Sequence, residues 1–126
     1  MLSGKKINPM PFKFEKLIVW QKSLELSTAV NRLARQFPKD ELYILSSQIK
    51  RAADSVSLNI AEGSTGQSNA EFCRFLKIAI RSNIEVVGCI FIAQKRNLID
   101  DVEFKKIYDQ CEEILVMLNA LQKSLR

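Results

Sequence analysis

The chain has 126 residues, 47% of them hydrophobic and 26% charged, with only 4 Gly and 3 Pro, the profile of one soluble domain built from a few long helices. Its 19 Lys and Arg outnumber 14 Asp and Glu for a net charge of +5, which favours an anionic partner. It contains no His, which excludes the Ser-His-Asp triad, the Cys-His pair and the two-His metal sites.

Residues 1–13 read as a flexible basic N-terminal arm, with Lys13 and the neighbouring Lys16 set among Pro9, Pro11, Phe12 and Phe14. No apolar run of signal-peptide or membrane-spanning length follows, so the expected compartment is the cytoplasm, with no membrane partner. Residues 14–126 read as a single four-helix domain. The first helix is expected from about Phe14 to Gln36. Leu26, Val30, Leu33 and Phe37 make a core stripe at helical spacing, and Leu17, Trp20 and Leu24 make a second on nearly the opposite side. A bundle helix needs one such stripe. The second is covered either by another subunit or partner, with Trp20 and Leu24 at the contact, or by the arm folding over Trp20.

Phe37-Pro38-Lys39 breaks the chain. The second helix follows, with Asp40 and Glu41 at its positive end and Leu42, Leu45, Ile49, Ala53, Val56 and Ile60 as its core stripe. Gly63 is placed as the residue just past its end. Gln48, Arg51, Ser55, Asn59 and Glu62 form a row roughly opposite the core. The row is short-chained and amide-rich rather than crowded with Lys and Glu, as suits a second interface. An ordinary exposed face of poor helix formers is the other reading.

Ser68-Asn69-Ala70-Glu71 matches a capping box that opens the third helix, expected to reach Lys95 or Arg96. Phe72, Phe75, Leu76, Ala79, Val86 and Ile90 form its main stripe, and Ile80, Ile84, Val87 and Phe91 an adjacent one. The helix should therefore be largely buried except along Arg74, Lys77, Arg81 and Glu85. Asp100 to Glu103 reads as another cap. A three-four alternation then runs through Phe104, Ile107, Cys111, Ile114, Leu118, Leu121 and Leu125. Short connections make neighbours antiparallel, so the expected architecture is all-α, an up-down-up-down four-helix bundle.

The strongest functional pattern is basic. Arg74, Lys77 and Arg81, three and four residues apart, project from one side of the third helix, with Lys50, Lys13 and Lys16 as candidate extensions. Such rows bind phosphate backbones, although no aromatic residue interleaves to stack bases, and a merely solvated face has the same pattern. The carboxylates Glu62, Glu71, Glu85, Asp109, Glu112 and Glu113 lack the Glu-x-x-His partners of a metal bundle and read as caps and ion pairs. No metal site or cofactor is expected. Ser55 is poorly aligned with Lys50, and nothing supplies an oxyanion hole. Cys73, Cys89 and Cys111 read as small core hydrophobes in a reducing compartment. A non-enzymatic protein is expected.

Several motifs, taken together, resemble the four-helix bundle family of 23S ribosomal RNA intervening-sequence proteins. They are Val19-Trp20-Gln21-Lys22-Ser23 with Leu26; Phe37-Pro38 with Glu41, Tyr43 and Leu45; Ser47-Gln48-Ile49 and Arg51-Ala52-Ala53 with Ser55; Asn59-Ile60-Ala61-Glu62-Gly63; and Glu71-Phe72, Arg74-Phe75-Leu76 and Ile78-Ala79. The resemblance spans about residues 14–125 and is densest over the first three helices. It implies a bacterial homopentamer related to accessory proteins of diversity-generating retroelements, which bind RNA or DNA and a reverse transcriptase. In such a ring Arg51 and Glu62 would sit at the subunit interface. The chain departs from the family in carrying Arg81-Ser82 where Gly-Ser is usual, which either strengthens the basic row or disturbs a close helix contact. It also has Ser64-Thr65-Gly66-Gln67 where the loop is often basic. The expected function is a homo-oligomer that binds nucleic acid through its basic surface. The alternative is a scaffold whose partner is another protein.

Overall fold

The computed structural model describes residues 11–66 and 68–126. Of the expected N-terminal arm, residues 1–10 lie outside the described residues. Four helices follow: α1 (Ile18–Ala34), α2 (Ser47–Ser64), α3 (Asn69–Lys95) and α4 (Asp101–Ser124). No strand occurs among the described residues. Each helix packs on the next and α1 also packs on α4, which closes the ring around one core. Residue pairings fix the directions. Gln48 meets Glu85, Ser55 meets Ser82, and Gly63 faces Phe75, a descending register that makes α2 and α3 antiparallel. Phe91 with Phe104, Asn83 with Cys111 and Cys73 with Gln122 do the same for α3 and α4.

The core stripes fall where helical periodicity puts them. Leu26 and Val30 of α1, Ile49, Val56 and Ile60 of α2, Leu76, Val86 and Ile90 of α3, and Leu118 of α4 are fully buried, with Ile114 nearly so. Each such side chain contributes about 1.5–3 kcal/mol relative to exposure. Buried among them is Asn83, whose Nδ2 donates to the Cys111 carbonyl at 2.8 Å and ties α3 to α4.

Local chemistry sets the ends. Ser68 Oγ accepts from the Glu71 N–H at 3.1 Å and starts α3. Asp100 Oδ1 accepts from the Glu103 N–H at 2.7 Å while Glu103 Oε1 accepts from the Asp100 N–H at 3.0 Å, a full capping box for α4. Between them Asn97 takes a left-handed φ of 60°. The Leu98 N–H bonds the Ala93 carbonyl and the Asn97 N–H the Gln94 carbonyl, a Schellman stop.

Four expectations need correction. Helix α1 begins at Ile18 rather than Phe14, because Lys13–Lys16 forms a separate 3-10 turn. That turn is held by the Gln21 side chain donating to the Glu15 carbonyl at 2.9 Å. Leu42 is not core but 49% exposed. Leu42–Ser46 is a π-helical turn, whose wider winding carries Leu42 out of line with Leu45. Gly63 lies inside α2, not past its end. A Cβ there would sit 2.6 Å from Phe75 Cβ and 2.9 Å from Phe72 Cδ1, so its smallness lets α3 approach. Finally, the second stripe of α3 is not buried within the protomer. Ile80 and Val87 are half-buried, but Ile84 and Phe91 are 54% and 52% exposed.

Candidate functional site

Helix α3 presents its outer face to solvent along its whole length, and the face has two halves. The N-terminal half carries Arg74, Lys77 and Arg81, all exposed around a shallow depression that also takes in Ile78 and Ile80. Arg74 makes one long ion pair, 3.8 Å to Glu71, with its side chain 73% exposed. Lys77 and Arg81 have no ion-pair partner among the described residues. Their charge is thus uncompensated by close contacts and available to an anion. Arg81 stays clear of the contact between α2 and α3. It points outward, while the adjacent Ser82 is buried and its Oγ lies 2.8 Å from Ser55 Oγ. The close helix contact is made by the two serines and is undisturbed by the Arg.

The expected extensions of this row lie elsewhere. Lys50 borders the groove between α1 and α2 with Ser27, Thr28, Asn31 and Asp54. Lys77 borders the groove between α3 and α4, on the opposite side of the ring. Lys13 and Lys16 sit on the 3-10 turn that packs on α1 and α2. A residue that the spacing argument missed joins instead. Arg126 lines the α3/α4 groove that Lys77 borders, with Cys73, Gln122 and Leu125. No periodicity within one helix links position 126 to position 77; only the antiparallel return of α4 brings them together.

The row on α2 reserved for an interface is largely engaged inside the protomer. Gln48 Nε2 donates to Glu85 at 3.2 Å, Ser55 meets Ser82, and Asn59 Nδ2 donates to the Ser55 carbonyl at 2.8 Å and its hydroxyl at 3.0 Å. Arg51 and Glu62 are exposed at its outer edge. Trp20 is half-buried and its ring meets Phe14 edge-on, centroids 4.6 Å apart, with Phe12 stacked beyond. Part of the Trp20 ring is therefore covered within the protomer by Phe14, the residue just after the arm. Leu24 faces the α1/α4 groove and is 41% exposed.

The C-terminal half of the α3 face is richer in apolar side chains, set beside the exposed Glu85 and Lys95. Ile84, Phe91 and Ile92 are exposed, and Phe91 packs edge-on against Phe104 and Tyr108 of α4 at 4.9 and 6.4 Å between centroids. Tyr43 and Ile44 of the π turn, 89% and 60% exposed, belong to the same end of the bundle.

None of the titrating groups with a resolved shift lies on the cationic row. Burial pushes the Cys111 thiol up to about 12, and burial together with the Glu85 charge pushes Cys89 to about 11. Both are held as neutral thiols, unsuited to nucleophilic or ligating work. Among the described residues no group of three or more Cys, Asp or Glu side chains is placed to hold a metal ion, and no helix is long and apolar enough to cross a membrane.

An antiparallel four-helix bundle whose outer α3 face is cationic in its first half and carries exposed apolar side chains in its second is the class defined by this geometry. The chain belongs to the 23S rRNA-intervening sequence protein family, whose pattern it matches over residues 15–120. Its fold is similar to a crystal structure of a protein of unknown function from the S23 ribosomal protein family of Bacteroides thetaiotaomicron. The two are 26% identical, with a TM-score of 0.78 over 83% of this chain and 98% of that one. Among curated proteins none matches significantly.

Proposed function

We propose that this protein is a non-enzymatic, cytoplasmic homo-oligomer, a pentamer by family resemblance, that binds nucleic acid through the cationic half of α3. The observation that carries the reading is the exposed row Arg74, Lys77 and Arg81, of which the last two lack any carboxylate partner among the described residues. Cations held in a line and left unpaired release counterions from a phosphate backbone on contact, a favourable term that weakens with salt. The test is anisotropy of labelled RNA and DNA at low and near-physiological salt, with wild type and the double variant Lys77→Glu, Arg81→Glu. Binding that the variant loses, with a shallower salt dependence, supports the row. Equal affinity and slope in both proteins would dismiss it.

A second reading, a scaffold for another protein such as a reverse transcriptase, is favoured by the exposed apolar side chains of Ile84, Phe91 and Ile92. Exposed apolar surface of this kind marks protein contacts more often than nucleic-acid contacts. Pull-down from lysate with and without nuclease separates the readings, because partners that survive nuclease belong to the scaffold.

A further inference from the structure

We infer that the nucleic acid met by the α3 face is double-helical and is held by its phosphates, rather than a single strand held by its bases. This rests on the nucleic-acid reading above and narrows its substrate class. Arg74, Lys77 and Arg81 stand on one rigid helix, so the row is straight and about 10.5 Å long at about 1.5 Å per residue. A duplex places a charge every ~1.7 Å along its axis, a dense and equally rigid counterpart. A flexible strand would have to be straightened against the row.

Single-strand sites offset that ordering by stacking successive bases on aromatic rings inside a groove. Here the row lies on the convex outside of a helix, and the residues between and beside its cations are the aliphatic Ile78 and Ile80. The ring nearest in sequence, Phe75, is turned inward against Gly63. The exposed ring on this helix, Phe91, lies ten residues beyond Arg81, about 15 Å along the axis, and is engaged with Phe104 and Tyr108.

The fourth cation points the same way. Arg126, two residues past the end of α4, lines the groove between α3 and α4 beside Lys77, so it lies off the line of the row by about one interhelix spacing, roughly 8–10 Å. One strand running along the row does not meet it. A duplex, with phosphates on both strands, does.

The experiment uses the full chain and four probes of one sequence, about 20 nucleotides long: duplex DNA, duplex RNA and the two isolated DNA strands. Anisotropy titrations are run at matched phosphate concentration and low salt. Both duplexes should bind at least about tenfold more tightly than either strand. Each protomer engaged should contribute a slope of about −3.6 in log K against log salt for four phosphates, falling to about −2.7 in Arg126→Gln. Arg126→Gln should lower duplex affinity several-fold and leave strand binding unchanged, and the two duplex arms show whether DNA or RNA geometry fits better. If the strands bind as tightly as the duplexes, and Lys77→Glu with Arg81→Glu still abolishes that binding, the double-helix inference is overturned while the nucleic-acid reading stands. If no probe binds, both fall.

Discussion

Gly63 and Gly88 are both helical glycines, yet their replacement by Ala should move stability in opposite directions. At Gly63 the new Cβ would lie 2.6 Å from Phe75 Cβ and 3.3 Å from Phe75 Cγ. Carbon pairs prefer about 3.5–4.0 Å, so about 1 Å must be found. Phe75 Cβ is bonded directly to the α3 backbone, so a rotamer change does not relieve the clash and the two helices must separate. Overpacking of this kind costs about 1–3 kcal/mol. Ala regains at most ~1 kcal/mol of helix propensity, and less in a last turn. The net loss is about 1–2 kcal/mol, or roughly 4–8 °C in Tm for a chain of this size. At Gly88 nothing lies within 4 Å of the new Cβ and the position is exposed. Only the propensity term acts there, and Tm should rise by about 4 °C. Urea and thermal unfolding by circular dichroism, at one fixed protomer concentration, read both variants. If Gly63→Ala stabilises as much as Gly88→Ala, the close approach of α2 to α3 is not what keeps position 63 small.

Other outcomes follow from the same geometry. Asp100→Ala removes one half of the α4 capping box and should cost about 1 kcal/mol in urea unfolding, with Asp100→Asn retaining most of it. Cys89 and Cys111, with folded pKa values near 11 and 12 against 9.0 for the free thiol, should resist a thiol reagent at pH 8 until the protein is unfolded. The sign of their pH linkage follows from raised acid pKa values. Their contribution is intact below pH 9 and is lost as pH rises toward 11–12, because the unfolded chain releases protons first. Cys111→Ala should therefore flatten the alkaline decline in stability measured by urea midpoints above pH 9. Glu41, whose carboxylate takes Arg96 Nη1 at 3.0 and 3.1 Å, fastens the turn before α2 to the end of α3. Glu41→Gln should speed amide exchange across Leu42–Ser46 more than across α1.

Much of the bundle was legible because a helix repeats its environment every three or four residues. Leu26, Val30, Ile49, Val56, Ile60 and Leu118 follow from spacing alone, as do the caps at Ser68 and Asp100. What failed did so where one symbol has two physical meanings. Gly63 ends a helix or admits a neighbour, and only the position of Phe75 tells which. Leu42 fits a stripe that assumes α winding, and the π turn changes the winding. For Ser55 and Asn59 nothing failed: a short polar row says that a partner is close but not whose it is, and Ser82 is one such partner. The cationic row of α3 was read from spacing, whereas its neighbours were not. Lys50 is near it in the list of bases and far from it in the ring, and Arg126 is the reverse.

The division of the α3 face bears on the two functional readings more than the net charge does. Arg74, Lys77 and Arg81 occupy its first half, and Ile84, Phe91 and Ile92 its second. Arg81 and Phe91 are about 15 Å apart along the axis, beyond a Debye length of about 8 Å at physiological ionic strength. Substitutions in the two halves should accordingly act independently. Phe91→Ser should weaken self-association or capture of a protein while leaving the salt slope for nucleic acid unchanged, and Arg81→Glu should do the converse. A protein that lost both properties with either substitution would be using the whole length of α3 as a single interface, with the phosphates and the apolar contact presented by one and the same assembly.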